Sequence, residues 1–344
     1  MTTNTKDIFA LSGRAQLLPV IHGSGSFARV ARQRILSSGR CCVAVCLPPE
    51  FQSTVEEGIE KLPYIGLSAL QEENGSCRYV PIDPCQPVIM ALRIALQEGM
   101  PRAFIDWSAA VYEPRHFLFP DSFALRRLSY EKFCVSLLPS IPRPPSGSLH
   151  EKRVRWMAYQ LHRLELEHSR VALVCSVLDW PWIKEAYDER LDYTPPEKPA
   201  SVPQLYGLEQ NTLFFALGEL PYVTGLYEKN RQELRSDQDA SVDGVKEILL
   251  RAREIFLGKH KIQYHNLTSQ TFQIYLQYVR NLALMENRLT PDLYTLAVAA
   301  KEIGGDRGNQ GPRGAVKGTE DGCEGTQPDK TVYPGKPQQR GTVT

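Results

Sequence analysis

Ala15-Gln-Leu-Leu-Pro-Val-Ile-His22-Gly-Ser-Gly-Ser26-Phe-Ala-Arg-Val30 is the stretch whose reading decides the fold. An apolar run breaks on a histidine and two glycines and continues as an amphipathic segment, which predicts strand, tight turn and helix. Leu17 to Ile21 supply the short apolar run of a buried strand, and Gly23 and Gly25 free the turn. Phe27, Val30, Ala31 and Ile35 then recur at helical spacing. His22 is thereby placed at the carboxyl end of a strand. In open α/β sheets ligands gather at that edge, where the N–H groups opening the next helix favour anions.

Working outward, Cys41 to Leu47 is a continuous apolar run, as expected of a strand buried on both faces, and Pro48-Pro49 stops it. Thr54 to Leu62 predicts a helix, Arg78 to Ile82 a strand weakened by Pro81, Gln86 to Gln97 a helix, and Pro101 to Trp107 another strand. This βαβαβαβ series predicts an α/β fold with a mainly parallel sheet and crossover helices. From Tyr112 to Ser148 the prolines, aromatics and basic residues read as an irregular excursion or lid. Leu149 to His168 resumes a helix, with Val154, Met157, Ala158, Leu161 and Leu164 inward and Arg153 largely outward. Val171 to Val177 is the next buried strand, ending at Asp179.

A Pro-rich linker, Thr194 to Pro203, separates this part from a mostly helical one. Helices are expected at Thr212 to Asn230, Gly244 to Phe256, Ser269 to Glu286 and Pro291 to Ile303, the last with Thr290 as N-cap and Pro291 in the first position. From Gly305 the composition is Gly, Pro, Gln and charges, which cannot build a core and predicts disorder. The expected domains are therefore 10–192 α/β, 205–304 helical and 305–344 a disordered tail.

With 344 residues, 42% hydrophobic, the chain can bury a large core. A formal charge of +1 gives no global field for nucleic acid or a membrane surface. No apolar run approaches the roughly 20 residues of a membrane span, and Met1 to Asp7 lacks a signal peptide's apolar stretch, so a cytoplasmic location is expected. The eight cysteines are scattered without a Cys-x-x-Cys pair, neither a zinc motif nor a disulfide framework.

Gly23-Ser24-Gly25-Ser26-Phe27-Ala28 fits the dinucleotide fingerprint G-x-G-x-x-A at the required strand-to-helix junction, making Gly23, Ser24, Gly25 and Ser26 candidate cofactor-binding residues. The acidic residue expected about 20 positions on is missing, since the second strand ends Cys46-Leu47-Pro48. The same glycines serve equally as a tight turn with close helix packing. His22 has the position of a metal ligand or general base, and Asp83, Asp106 and Asp179 stand at the same edge, the composition of a hydrolytic metal site or an acid-base pair. The plainer alternative makes Asp83 a turn former before Pro84, Asp106 a strand-to-loop residue and Asp179 a helix cap. The loop residues Glu113, Arg115, His116, Arg126, Arg127 and Lys132, among Tyr112, Phe117 and Phe119, suit either an anionic or aromatic ligand or a solvated loop.

The chain resembles a bacterial family of unknown function within the TraB, ChaN and erythromycin-esterase-like superfamily. Val20-Ile21-His22-Gly23-Ser24 is similar to that family's first strand ending, Arg-His-His-Ser-Pro, with one His kept. Val45-Cys46-Leu47-Pro48 stands against Ile-Glu-Gly-Pro, Phe104-Ile105-Asp106 is intact, and Ser176-Val177-Leu178-Asp179 stands where Gly-x-x-His is common. Leu220-Pro221-Tyr222, Arg280-Asn281-Leu282 and Leu289-Thr290-Pro291-Asp292 resemble its helical half. The resemblance implies an acid-base or metal-binding set at the strand ends: His22 and Asp106 as catalytic residues, and His22, Cys46, Asp106 and Asp179 around a divalent metal, since Cys and Asp also ligate metals. It also implies MoxR-type ATPases and von Willebrand factor A domain proteins as partners. Two functions follow: a catalytically diverged binding or assembly component, favoured by the altered hallmark positions, and a metal-assisted or acid-base hydrolase around His22.

Overall fold

The computed structural model describes residues 8–72, 75, 77–109, 115, 117–196, 201–233, 241–259 and 268–304. The expected tail, together with Tyr112, Glu113 and His116, lies outside the described residues. The decisive stretch folds as read: β1 (Ala15–Val20) leads through His22-Gly23 into α1 (Gly25–Ser37), which buries Phe27, Ala28, Val30, Ala31 and Ile35. Ser24 is the N-cap, its Oγ accepting the Phe27 N–H at 3.4 Å.

The fold is α/β. Around β1 stands a four-stranded sheet in the order β1-β6-β2-β5, built with β2 (Cys42–Val45), β5 (Arg102–Phe104) and β6 (Val171–Ser176). Every neighbouring pair in it is parallel. Parallel strands need crossovers, supplied in the intervening chain by α2 (Gln52–Glu60), α3 (Pro87–Gln97), α4 (Tyr130–Leu137) and α5 (Leu149–Glu167). All six residues of β6 are buried, as a central parallel strand requires. α6 (Trp180–Glu189) follows β6.

Several expectations are corrected. The strand at Arg78 to Ile82 is β4 (Cys77–Ile82), but it does not belong to the parallel sheet. It is one edge of an antiparallel sheet, β4-β3-β7, with β3 (Gly66–Gln71) and β7 (Gln204–Gly207), and the edge position is what accommodates Pro81. The excursion contains α4, whose Tyr130, Phe133, Cys134 and Leu137 are buried at the i, i+3, i+4, i+7 spacing of a core helix. The single helix expected at Thr212 to Asn230 is two, α7 (Gln210–Ala216) and α8 (Pro221–Gln232). Pro221 has no N–H to continue the first helix and fits the first position of the second. Arg153, expected to face outward, is only 14% exposed and ion-paired.

The described residues divide into two compact units, one comprising those up to Arg115 and from Leu125 to Gly218, the other those between and from Glu219 onward. In the second, α8, α9 (Gly244–Lys259), α10 (Ser269–Met285) and α11 (Leu293–Gly304) surround a core of Val223, Ile248, Tyr275, Val279, Leu296 and Ala299. The Tyr275 hydroxyl donates to the Leu296 carbonyl at 2.9 Å. The cap of α11 is Asp292, not Thr290: its carboxylate accepts the Thr295 N–H at 2.8 Å, leaving Pro291 ahead of the helix. Among the described residues no helix is long and apolar enough to cross a membrane.

Candidate active site at the carboxyl edge of the parallel sheet

Because β1, β2, β5 and β6 run in one direction, the residues that follow them emerge on one edge: His22 after β1, Cys46 after β2, Asp106 after β5 and Asp179 after β6. Asp106 and Asp179 are each 2% exposed. A carboxylate is buried at that cost only if its charge is answered, and here each is answered by arginine.

Asp106 takes a fork from Arg153 of α5, Nε to Oδ1 at 3.0 Å and Nη2 to Oδ2 at 2.5 Å, while Oδ1 also accepts the Trp107 N–H at 2.7 Å. Asp179 takes Arg115, Nη1 to Oδ1 at 2.5 Å and Nη2 to Oδ2 at 3.3 Å. It also meets Nε2 of His150, on the first turn of α5, at 2.7 Å. Burial works against the Asp179 charge, but the His150 hydrogen bond and the charges of Arg115 and Arg153 outweigh it and hold the carboxyl well below the usual range. Nε2 of His150 thus sits between the Arg115 Nη1 donor at 2.9 Å and the Asp179 Oδ1 acceptor at 2.7 Å. Asp179 occupies the N-cap position of α6, but its side chain makes no capping bond, having turned instead to Arg115 and His150.

His22, unlike Asp106 and Asp179, is exposed to solvent. Protein crowds it closely enough for desolvation to lower its pKa below the usual imidazole value. Asp179 opposes that shift, and Arg115 and Arg153 reinforce it. Gln86 beside the ring favours its charged form slightly, and its Oε1 accepts the Gly23 N–H at 3.0 Å, fixing the turn that follows the imidazole. At neutral pH His22 is thus an accessible, uncharged base in the field of one carboxylate and two guanidinium groups.

Cys46 is half-buried, and its thiol is pushed well above the ordinary thiol range, first by burial, then by Cys175 and the carboxylates of Asp106 and Asp179. It is neither a thiolate nucleophile nor a ready metal ligand. The arrangement as a whole does not fit a divalent metal. The carboxylates of Asp106 and Asp179 are committed to arginines, and among the described residues no three of the His, Cys, Asp and Glu side chains are grouped to hold an ion.

At the glycine turn, Gly23 has φ +70°, a left-handed conformation that glycine supplies without strain. The open side of Gly23 is filled by protein: a Cβ built on Gly218 would lie 2.1 Å from the Gly23 Cα. Gly218 is fixed there by Asp83, fully buried, which accepts its N–H at 2.9 Å and that of Cys85 at 2.7 Å. Burial raises the Asp83 pKa against those two bonds. Ser24 caps α1, and Ser26 is buried at its first turn. Gly23 therefore serves a close backbone approach, with the space over it occupied by Gly218.

Three participants were not singled out from the sequence. His150 and Arg153 lie three residues apart on the first turns of α5, a signal that reads equally as a solvated helix face. Gln86 carried no signal beyond its place ahead of α3. No protein-family model, no curated protein and no solved structure matches the chain.

Proposed function

We propose that the crevice is an acid-base hydrolase site, working without a metal, with His22 as general base. The observation that carries this reading is an exposed, uncharged His22 in the field of a buried, ionised Asp179 at the carboxyl edge of a parallel sheet. His22 takes a proton from a water, whose oxygen bonds the acyl carbon of an ester, and the resulting imidazolium returns that proton to the leaving alcohol. Asp179 stabilises the imidazolium electrostatically. His150 and Arg115 keep Asp179 ionised and oriented, and Gln86 fixes the turn after His22.

Burying this many charged groups costs several kcal/mol per ion before pairing, roughly the scale of a domain's net stability, and functional sites are where such networks concentrate. The departures from the superfamily pattern at Cys46 and Asp179 weigh against a metal, not against this chemistry. The resemblance to the TraB, ChaN and erythromycin-esterase-like superfamily supports the same strand-end histidine. The test is hydrolysis of a p-nitrophenyl ester panel in the presence of chelator. His22→Ala and His22→Gln should each lose at least about a hundredfold in kcat/KM, the lower range of general-base contributions. Undiminished turnover in His22→Ala would sink the proposal.

A further inference from the structure

Arg115 holds Asp179 with only part of its guanidinium. Nη1 and Nη2 form an end-on fork on the two carboxylate oxygens, and Nη1 also reaches Nε2 of His150 at 2.9 Å. A guanidinium is planar and carries five N–H donors in fixed directions, so a second fork, Nε–H with the other Nη2–H, faces away from the carboxylate. Arg153 shows the use of that second fork, since its Nε and Nη2 are the atoms that grip Asp106. In Arg115 the same pair has no hydrogen-bond partner among the described residues. The Arg115 side chain is 30% exposed, against 14% for Arg153, so the open fork is within reach of solvent.

This fork belongs to the surroundings of His22. β1 and β6 are adjacent and parallel in register up to Val20↔Ser176, with the Val177 N–H on the Val20 carbonyl at 2.8 Å. His22 and Asp179 therefore follow the same last rung by two and three residues, and Arg115 is in direct contact with Asp179. The Arg115 charge also acts on the imidazole. α1 and α6 both open on this edge, and the positive ends of helices favour anions.

We propose that the ester hydrolysed at His22 carries a carboxylate, and that the open fork of Arg115 receives it. This rests on the reading of His22 as the base. Two parallel N–H groups match the two oxygens of a carboxylate, whereas a neutral carbonyl offers one. A single negative charge suits the place better than the two of a phosphate: Arg115 and Arg153 are already answered by Asp179 and Asp106, which leaves directed donors but no surplus cation between them. The guanidinium stands between Asp179 and the incoming carboxylate, one on each fork. Anchoring there fixes the rest of the substrate relative to the base.

The experiment is a ligand-observed NMR titration of the full chain at low salt with succinamate, an amide monoanion standing in for the ester, and with succinamide, its neutral counterpart. Wild type should bind succinamate at least about tenfold more tightly, the scale of a charge-assisted hydrogen bond. Arg115→Met should lose that preference. Arg115→Lys keeps a cation for Asp179 but has no second fork, so it should bind the two amides within about threefold of each other. His22→Ala should keep the wild-type preference, because binding needs no proton transfer, and the fork and the base can thus fail separately. Equal affinity of wild type for the two amides, no saturable succinamate binding, a preference lost with His22→Ala, or the full preference retained in Arg115→Met or Arg115→Lys would overturn the assignment.

Discussion

Replacing Arg153 by Met keeps the length and apolar stem of the side chain while removing its guanidinium. Asp106 would then retain the Trp107 N–H at 2.7 Å as its remaining donor of those described above, at 2% exposure and with its charge unanswered. Both partners are well buried, 14% and 2%, so solvent screening discounts little. Breaking such a pair on one side costs about 3–5 kcal/mol. At about 2–4 °C per kcal/mol for a unit of this size, the transition should fall by roughly 6–20 °C. Adding Asp106→Asn removes the stranded charge and keeps an oxygen for the Trp107 N–H, so the double variant should recover most of the loss. Differential scanning calorimetry of the four proteins closes a double-mutant cycle. The reasoning is refuted if Arg153→Met lies within about 1 kcal/mol of wild type, the worth of a surface pair, or if the double variant is no more stable than the single one.

Gly218→Ala places a Cβ 2.1 Å from the Gly23 backbone and should cost about 1–3 kcal/mol or more in urea unfolding, whereas Gly13→Ala, with open space around it, should stay within about 0.5 kcal/mol. The folded pKa of Asp179 is depressed, so its contribution to stability is present above its unfolded pKa and lost as pH falls through the folded one. Asp179→Asn should accordingly be less stable than wild type at pH 7, with the gap narrowing below about pH 4 in melts followed by circular dichroism; a gap independent of pH would contradict the assignment. In the helical unit, Asp292→Ala removes the cap of α11 and should cost about 1 kcal/mol by denaturant titration.

Much of the scaffold was legible because it is written in local chemistry. The Leu17 to Ile21 run, the two glycines and the 3.6-residue recurrence of Phe27, Val30, Ala31 and Ile35 each point to the same βα unit, and Asp83-Pro84 announces the turn that the Cys85 N–H completes. What stayed hidden depends on partners distant in sequence. β4 reads as a strand, but nothing in Arg78 to Ile82 says that it pairs with β3 and β7 instead of joining β5. The core face of α4 was masked by the prolines around it. At the site, the strand-end positions of His22, Cys46, Asp106 and Asp179 follow from the pattern. Arg115, His150 and Arg153 do not, because a basic residue on a loop or an early helical turn looks the same whether it meets water or a buried carboxylate. Those three residues turn a candidate ligand set into a charge network.

The acid-base role of His22 is tested most directly by the pH dependence of kcat/KM for ester hydrolysis in the presence of chelator. A general base must be uncharged, so activity should fall as pH drops through the His22 pKa. Burial and the two arginines place that acid limb below the usual imidazole value, and it should vanish with His22→Ala. A limb at or above the usual imidazole value, a limb that persists in His22→Ala, or turnover abolished by chelator would contradict the account.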